Sequence, residues 1–303
     1  MITRRGVLMG AGGLALGATG LASYAFAIEP GFMLGVTRYR LRPAGWPQGL
    51  RLRVVLIADI HACEPYMGPG RIGRIARLAN SLEPDLFALL GDFNGGHRFV
   101  TAQVLPEQWA EALDVLKAPL GVHAVLGNHD WWHGPVPGTR SQDAEPIRRA
   151  LKAMGARLYE NDALRLEKDG HAFWLAGLGD QMARKNGRHS FRGLDDLSGT
   201  LRLVKDDAPV VLMAHEPFVF PRVPDRVSVT LCGHTHGGQV NLPIFGPVVA
   251  ESRMAPELIY GHHQEGARHL VVSAGLGESI VPVRFMRPPE LVDVTIEAPD
   301  AIA

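Results

Sequence analysis

Apolar positions along the chain fall into short runs of two kinds. Leu52-Arg53-Val54-Val55-Leu56-Ile57-Ala58 and Leu86-Phe87-Ala88-Leu89-Leu90 are nearly continuous, as expected of strands covered on both faces. Arg71 to Leu82, Pro106 to Leu116 and Asp143 to Met154 carry apolar residues at helical spacing and predict helices. Further strands are predicted over Val122 to Leu126, Phe173 to Leu178, Val210 to Ala214, Val227 to Cys232, Leu270 to Ala274 and Leu291 to Ile296. Leu34 to Leu41 alternates as an edge strand does, and Pro43, Gly45 and Pro47 then break it. Gly134 to Arg140 and Gly237 to Arg253 read as long loops. Strands outnumber helices in the second half, so the expectation is an α/β chain of two packed mixed sheets flanked by helices. No internal repeat or low-complexity linker divides it, and residues 28–303 count as a single domain.

The first 27 residues read as an address. Arg4 and Arg5 precede an uncharged run from Gly6 to Ile28 that holds the small-residue pattern Ala25-Phe26-Ala27. The pattern T-R-R-x-V-L resembles a twin-arginine export signal, which makes the export machinery a partner and places the protein in the periplasm or on the outer face of the inner membrane. The alternative is an uncleaved membrane anchor, because the run is long enough to span about 30 Å of hydrocarbon.

Composition narrows the function classes. The 303 residues hold 31 Lys+Arg and 31 Asp+Glu, a formal charge of zero, so no nucleic-acid partner is expected. Hydrophobic residues at 46% and charged residues at 20% exclude whole-chain disorder. Cys63 and Cys232 can form at most one bridge and read as small buried residues. Thirteen histidines are many for this length, and their placement carries the argument.

Chemistry gathers at the carboxyl ends of the predicted strands. The first ends in Asp59-Ile60-His61, the second in Gly91-Asp92 and the third in Gly127-Asn128-His129-Asp130. Two later strands end in His215 and in Gly233-His234-Thr235-His236. In open α/β sheets this is the edge where ligands bind. Imidazole, carboxylate and amide donors without thiolates suit Mn, Fe, Zn or Co. Seven candidate ligands exceed the needs of one ion, and a carboxylate can bridge, so two divalent ions sharing Asp92 are the economical arrangement. Such a centre keeps net positive charge and acidifies bound water towards a pKa of about 7, which suits a phosphate ester.

The ordered set D-I-H, G-D, G-N-H-D, a lone His before Glu-Pro, and G-H-T-H resembles the calcineurin-like metallophosphoesterase family over residues 51–240. Gly237-Gly238-Gln239, Tyr260-Gly261, Gly275-Leu276-Gly277, Pro282-Val283-Arg284-Phe285, Pro289-Glu290 and Glu29-Pro30 are similar to its YaeI/YkuE-type phosphodiesterase branch. The resemblance implies a four-layer αββα sandwich. It implies that Asp59, His61, Asp92 and His236 hold one ion, and that Asp92, Asn128, His215 and His234 hold the other. It implies a metal-bridging hydroxide as nucleophile, with His129 protonating the leaving group or steadying the transition state. The expected substrate is a phosphodiester, lipid-linked or from the cell envelope, with membrane association. Alternatives are hydrolysis of a UDP-diacylglucosamine-type pyrophosphate, or a metal-binding scaffold without activity. The scaffold reading would predict a missing ligand, and none is missing.

Other readings stay open from the residues alone. Asp130 either orients the His129 ring or caps the following loop. Trp131-Trp132-His133 packs in the core or walls the substrate pocket. Arg71, Arg74 and Arg77 read as a solvated helix face, the alternative being a phosphate or lipid-headgroup role.

Overall fold

The computed structural model of the protein describes residues 4–95, 99–132, 142–187, 190–248 and 255–300, without the side chains of residues 4–11 and 14. Helix α1 (Arg4–Ser23) is followed by strands β1 (Gly35–Leu41) and β2 (Leu52–Ile57), helix α2 (Pro69–Asn80) and β3 (Leu86–Leu89). Next come α3 (Pro106–Leu113), β4 (Val122–Ala124), α4 (Asn128–Trp132), α5 (Glu145–Ala153) and β5 (Arg157–Leu158). The second half adds β6 (Asp162–Lys168), β7 (His171–Gly177), α6 (Leu197–Leu201), β8 (Val210–Met213), β9 (Val227–Cys232), β10 (Gly261–Glu265), β11 (Arg268–Val272) and β12 (Glu290–Ile296). Helices α2, α3 and α5 each carry a proline in the first two positions, where its missing N–H costs no hydrogen bond. That proline sets the start of α2 at Pro69, two residues before the apolar period begins.

Two six-stranded sheets form the body. The first has the order β1-β12-β2-β3-β4-β5, with β2 to β5 parallel and β12 antiparallel to β2. The second has the order β10-β11-β9-β8-β7-β6, with β11, β9, β8 and β7 parallel and an antiparallel strand at each edge. Alternation along β2 explains the layering. Val54 and Leu56 face Val211, Val229 and Val271 of the other sheet, while Val55 and Ile57 face Ile72, Ile75 and Trp109 of the helices. The outer face of the second sheet is covered by Leu197 of α6 and by Val219 and Phe220. The result is helix, sheet, sheet, helix, the four layers expected. Burying each such aliphatic side chain contributes about 1.5–3 kcal/mol.

The edge strands β6 and β10 and the short helix α6 escape the apolar pattern. In β6 Leu164 and Leu166 alternate with exposed Arg165 and Glu167, charges that guard an open edge. The Gly237 to Arg253 stretch contains a hairpin pairing Asn241–Leu242 with Gly246–Pro247, and its last residues lie outside those described. Gly134 to Arg140 lies outside them altogether.

Among the described residues no helix is long and apolar enough to cross a membrane. The end of the uncharged run is laced to the body. The Arg284 N–H donates to the Ala25 carbonyl at 2.9 Å and the Tyr66 hydroxyl to the Phe26 carbonyl at 2.9 Å. The buried Glu29 carboxylate accepts the N–H groups of Met286 at 2.9 Å and Arg287 at 2.6 Å.

Candidate metal centre

Parallel strands that run the same way release their carboxyl ends at one edge, and those ends carry the chemistry. Asp59 and His61 follow β2, Asp92 follows β3, Asn128 and His129 follow β4, His215 follows β8, and His234 and His236 follow β9. Asp59, His61, Asp92, His234 and His236 all have φ between 44° and 72°. Asp and His tolerate this left-handed region better than branched residues do, and such strain collects at functional sites. Gly127 leaves the space the site needs, since a Cβ there would stand 2.4 Å from Asp92 Oδ1 and 2.6 Å from His215 Cε1.

The side chains converge as two groups. Donor atoms of Asp59, His61 and His236 lie within 4.8 Å of one another, and so do those of Asp92, His215 and His234. Asp92 Oδ2 sits between the groups, 3.4 Å from His61 Nε2 and 3.3 Å from His215 Nε2. Asn128 Oδ1 lies 3.0 Å from His234 Nδ1 and 3.2 Å from His215 Nε2, which adds it to the second group. His129 belongs to neither. Its ring is half-buried, with Nε2 3.4 Å from Ser279 Oγ and the ring centre 4.8 Å from that of His61.

Tautomers decide what this cluster accommodates. His61 Nδ1 donates its proton to the Asn94 carbonyl at 3.2 Å, and His236 Nδ1 donates to the Gly277 carbonyl at 3.1 Å. Their Nε2 lone pairs then face each other at 3.1 Å with no proton between them. His215 repeats the pattern, with Nδ1 donating to the Leu90 carbonyl at 2.6 Å and Nε2 turned to Asn128 and Asp92. Facing lone pairs beside two buried carboxylates repel unless a cation separates them, so the donor set fits divalent ions.

The electrostatics agree. Burial pushes Asp59 up to about 7, and burial above all holds His234 down to about 3, a neutral ring. Burial and the neighbouring His61 hold His236 well below its ordinary value, which keeps it a neutral ligand. Burial would raise Asp92, but positive charge beside it, on the rings of His215, His129 and His61 when protonated, would hold it well below the usual carboxylate range, the place that a cation takes when those rings are neutral ligands. Cys63 and Cys232 are buried, and burial pushes Cys63 up to about 12 and raises Cys232 well above its ordinary value, so neither offers a thiolate.

Several open readings close. Asp130 faces the backbone, accepting the N–H of Asp92, Phe93 and Gly127 at 2.8 to 3.0 Å, so it caps the loops and does not orient His129. The tryptophan pair divides. Trp131 is core, under the guanidinium groups of Arg148 and Arg184, whereas Trp132 stands 5.3 Å from the His129 ring, stacked on Phe191. His133, with His97 and His189, lies outside the described residues. Arg74 and Arg77 are exposed as expected, but Arg71 is not on a solvated face, because its guanidinium turns back to the Tyr66 carbonyl at 2.9 Å.

Motif reading missed four supporting residues. Arg284 is fully buried and donates to the carbonyls of Ala274 at 2.9 Å and of Gly277, the acceptor of His236. Gln239 accepts the Ser279 N–H at 2.7 Å and so places the hydroxyl beside His129. Asp180 and Glu216, both buried, form a third group of donors with His215. The visible signal was the H-E-P run for Glu216 and P-V-R-F for Arg284, whereas nothing in the sequence pairs Asp180 with them.

Comparison with known proteins places this geometry. The calcineurin-like phosphoesterase family matches residues 52–238, the span that holds every donor above. The uncharacterized metallophosphoesterase YkuE of Bacillus subtilis is 30% identical over 98% of both chains. An uncharacterized metallophosphoesterase of Aquifex aeolicus is 28% identical over 88% of this chain and 93% of its own. A transmembrane protein with metallophosphoesterase domain from Danio rerio is 28% identical over 83% of this chain and 54% of its own. With that span matched and the ligand types in place, the chain belongs to the calcineurin-like phosphoesterase family and is a metal-dependent phosphoesterase.

Proposed function

We propose that the protein is a binuclear phosphodiesterase. The observation that carries this reading is Asp92 Oδ2, held between His61 and His215 at 3.4 and 3.3 Å, where one oxygen can serve two ions. Asp59, His61, Asp92 and His236 would hold one ion, and Asp92, Asn128, His215 and His234 the other. Bound there, divalent ions would supply positive charge at a phosphoryl oxygen and would lower the pKa of water, the nucleophile that this reading requires.

The chain's own groups do the rest. As the P–O bond to the leaving group breaks, His129 donates a proton to that oxygen, so the products are an alcohol and a phosphate monoester. The backbone N–H of His129 donates to Asp92 Oδ1 at 2.8 Å, which ties the proton donor to the residue between the two groups. Ser279 and Trp132 border the ring and limit its rotation. The choice of a diester follows the similarity of the motifs around Gly237, Gly275 and Arg284 to the YaeI/YkuE-type phosphodiesterase branch. Arg4-Arg5 and the uncharged run after them support export and action at the cell envelope, and the zebrafish relative named as transmembrane supports membrane association.

The test is turnover of a bis-aryl phosphodiester beside an aryl phosphomonoester, by metal-free protein and by protein reconstituted with Mn, Fe, Zn or Co. Metal-dependent turnover with the diester preferred is expected. A preference for the monoester with every ion would overturn the diester assignment.

A further inference from the structure

Large apolar side chains left in solvent gather on three segments beside the metal centre. Phe26 and Phe32 lie after α1, Ile244 and Phe245 at the tip of the hairpin, and Ile280 and Met286 in the loop before β12. Hydrogen bonds tie the three segments together. The Asn241 N–H donates to the Phe285 carbonyl at 2.9 Å, the Met286 N–H to Glu29 at 2.9 Å, and the Ser279 N–H to Gln239 at 2.7 Å.

These apolar groups are held outward against conformational preference. Ile244, Ile280 and Met286 have φ of 74°, 63° and 54°, a region where a branched side chain is strained and where a solvent turn would take Gly or Asn. Yet Ile244 is 101% exposed and Phe245 82%, each standing clear of the body. Residues 24–33, 240–248 and 279–287 contain one acid, Glu29, and it is buried, as is Arg284, which leaves the part-exposed Arg287 as the charge of this face. Arg287 passes over Gly237, next to His236, so the charge of this face near the metal centre is positive.

We propose that this rim seats on a lipid bilayer. Separate, protruding apolar tips would need matching holes in a protein partner, but a fluid acyl layer admits them as they stand, and the adjacent cation suits phosphate headgroups. Helix α1, uncharged after Arg5, leads into the same face through Tyr24, whose ring meets Phe285 at 6.1 Å. The inference deepens the envelope phosphodiesterase reading and rests on it for its purpose. Ile280 adjoins Ser279, the neighbour of His129, so a seated rim brings the centre to phosphate esters in the headgroup layer.

The test uses the full chain with Ile244→Cys, which an environment-sensitive fluorophore labels selectively because Cys63 and Cys232 are buried. Glu167→Cys, exposed on β6, is the control position. With vesicles of phosphatidylcholine and phosphatidylglycerol, the label at 244 should shift to the blue and brighten at least twofold, with no change at 167. An unchanged label at 244, whether or not the protein sediments with the vesicles, overturns the proposal. So does a shift that follows protein concentration without lipid, which would make a second copy the occupant. Bis-aryl diester turnover by the same preparation is read separately, and its loss bears on the phosphodiesterase reading alone.

Discussion

The carboxylate of Asp130 holds the backbone of Asp92 in place. Its Oδ2 accepts the Asp92 N–H at 3.0 Å and the Gly127 N–H at 2.9 Å, while Oδ1 accepts the Phe93 N–H at 2.8 Å. One buried side chain thereby joins the loop after β3 to the start of α4, which are the two segments carrying Asp92 and Asn128. Oδ1 also accepts the Asn94 N–H at 3.3 Å, so Asp130→Ala leaves four buried donors unpaired, at about 1–3 kcal/mol each. The expected outcome is destabilisation of at least about 3 kcal/mol by denaturant unfolding, with metal content falling in step. Asp130→Asn, which keeps one carbonyl acceptor, should lose less of both.

Gly127→Ala tests the close packing from the other side. The new methyl would meet Asp92 Oδ1 at 2.4 Å and the His215 ring at 2.6 Å, neither of which has room to yield. Metal bound per chain, read by elemental analysis, should drop below half of the wild-type value. A variant with full metal content would show that these two side chains move more freely than their packing implies.

His129→Ala separates proton donation from metal binding. The hydrogen bond to Asp92 comes from the main chain of residue 129 and survives the substitution. Metal content should therefore be unchanged while kcat for a poor leaving group falls about 10²–10⁴-fold. The loss should shrink as the leaving group becomes more acidic, because a good leaving group needs no proton.

Glu278 sets a pH dependence of stability. Burial pushes its carboxyl up to about 7 from 4.5, against the pull of Arg284, 3.5 Å away, and of Arg71. An acid raised in the folded state binds a proton on folding, so its contribution is complete below about pH 4.5 and is lost as pH rises through 7. The loss amounts to about 3 kcal/mol. Glu278→Gln should narrow the difference in unfolding free energy between pH 5 and pH 8 by an amount of that order.

The junction after α1 bears on processing. Cleavage after Ala27 would remove the carbonyl of Ala25 that receives the Arg284 N–H, but would spare Glu29. Protein beginning at Tyr24 should melt higher than protein beginning at Ile28. Glu29→Ala, which strips the acceptor from Met286 and Arg287, should lower Tm further than either truncation.

What could be read from residues alone follows from what sets each feature. A strand buried on both faces has to be apolar throughout, so β2, β3, β8 and β9 stand out, and the polar residues that end each run stand out with them. Edge strands β6 and β10 keep one side in water and carry charges, so no apolar run marks them. The same limit applies at the site. His61 and His236 are conspicuous by type and spacing, but their tautomers depend on carbonyls of Asn94 and Gly277, which any residue could supply. Asp130 was visible, yet its direction was not, because capping and ring orientation ask for the same carboxylate. The meeting of Ser279 with His129 and of Asp180 with Glu216 depends on loops far apart in sequence.

The last strand, β12, lies between β1 and β2, pairing with each along its length. The first sheet thus stays open until residues 290–296 have left the ribosome, and β1 has no strand neighbour among the described residues until then. A nascent or prematurely stopped chain presents two bare strand edges, which invite pairing with other chains. Completion of synthesis is in this way coupled to closure of the sheet that carries Asp59 and Asp92, so translation that stops before Glu290 yields no closed first sheet to bear them.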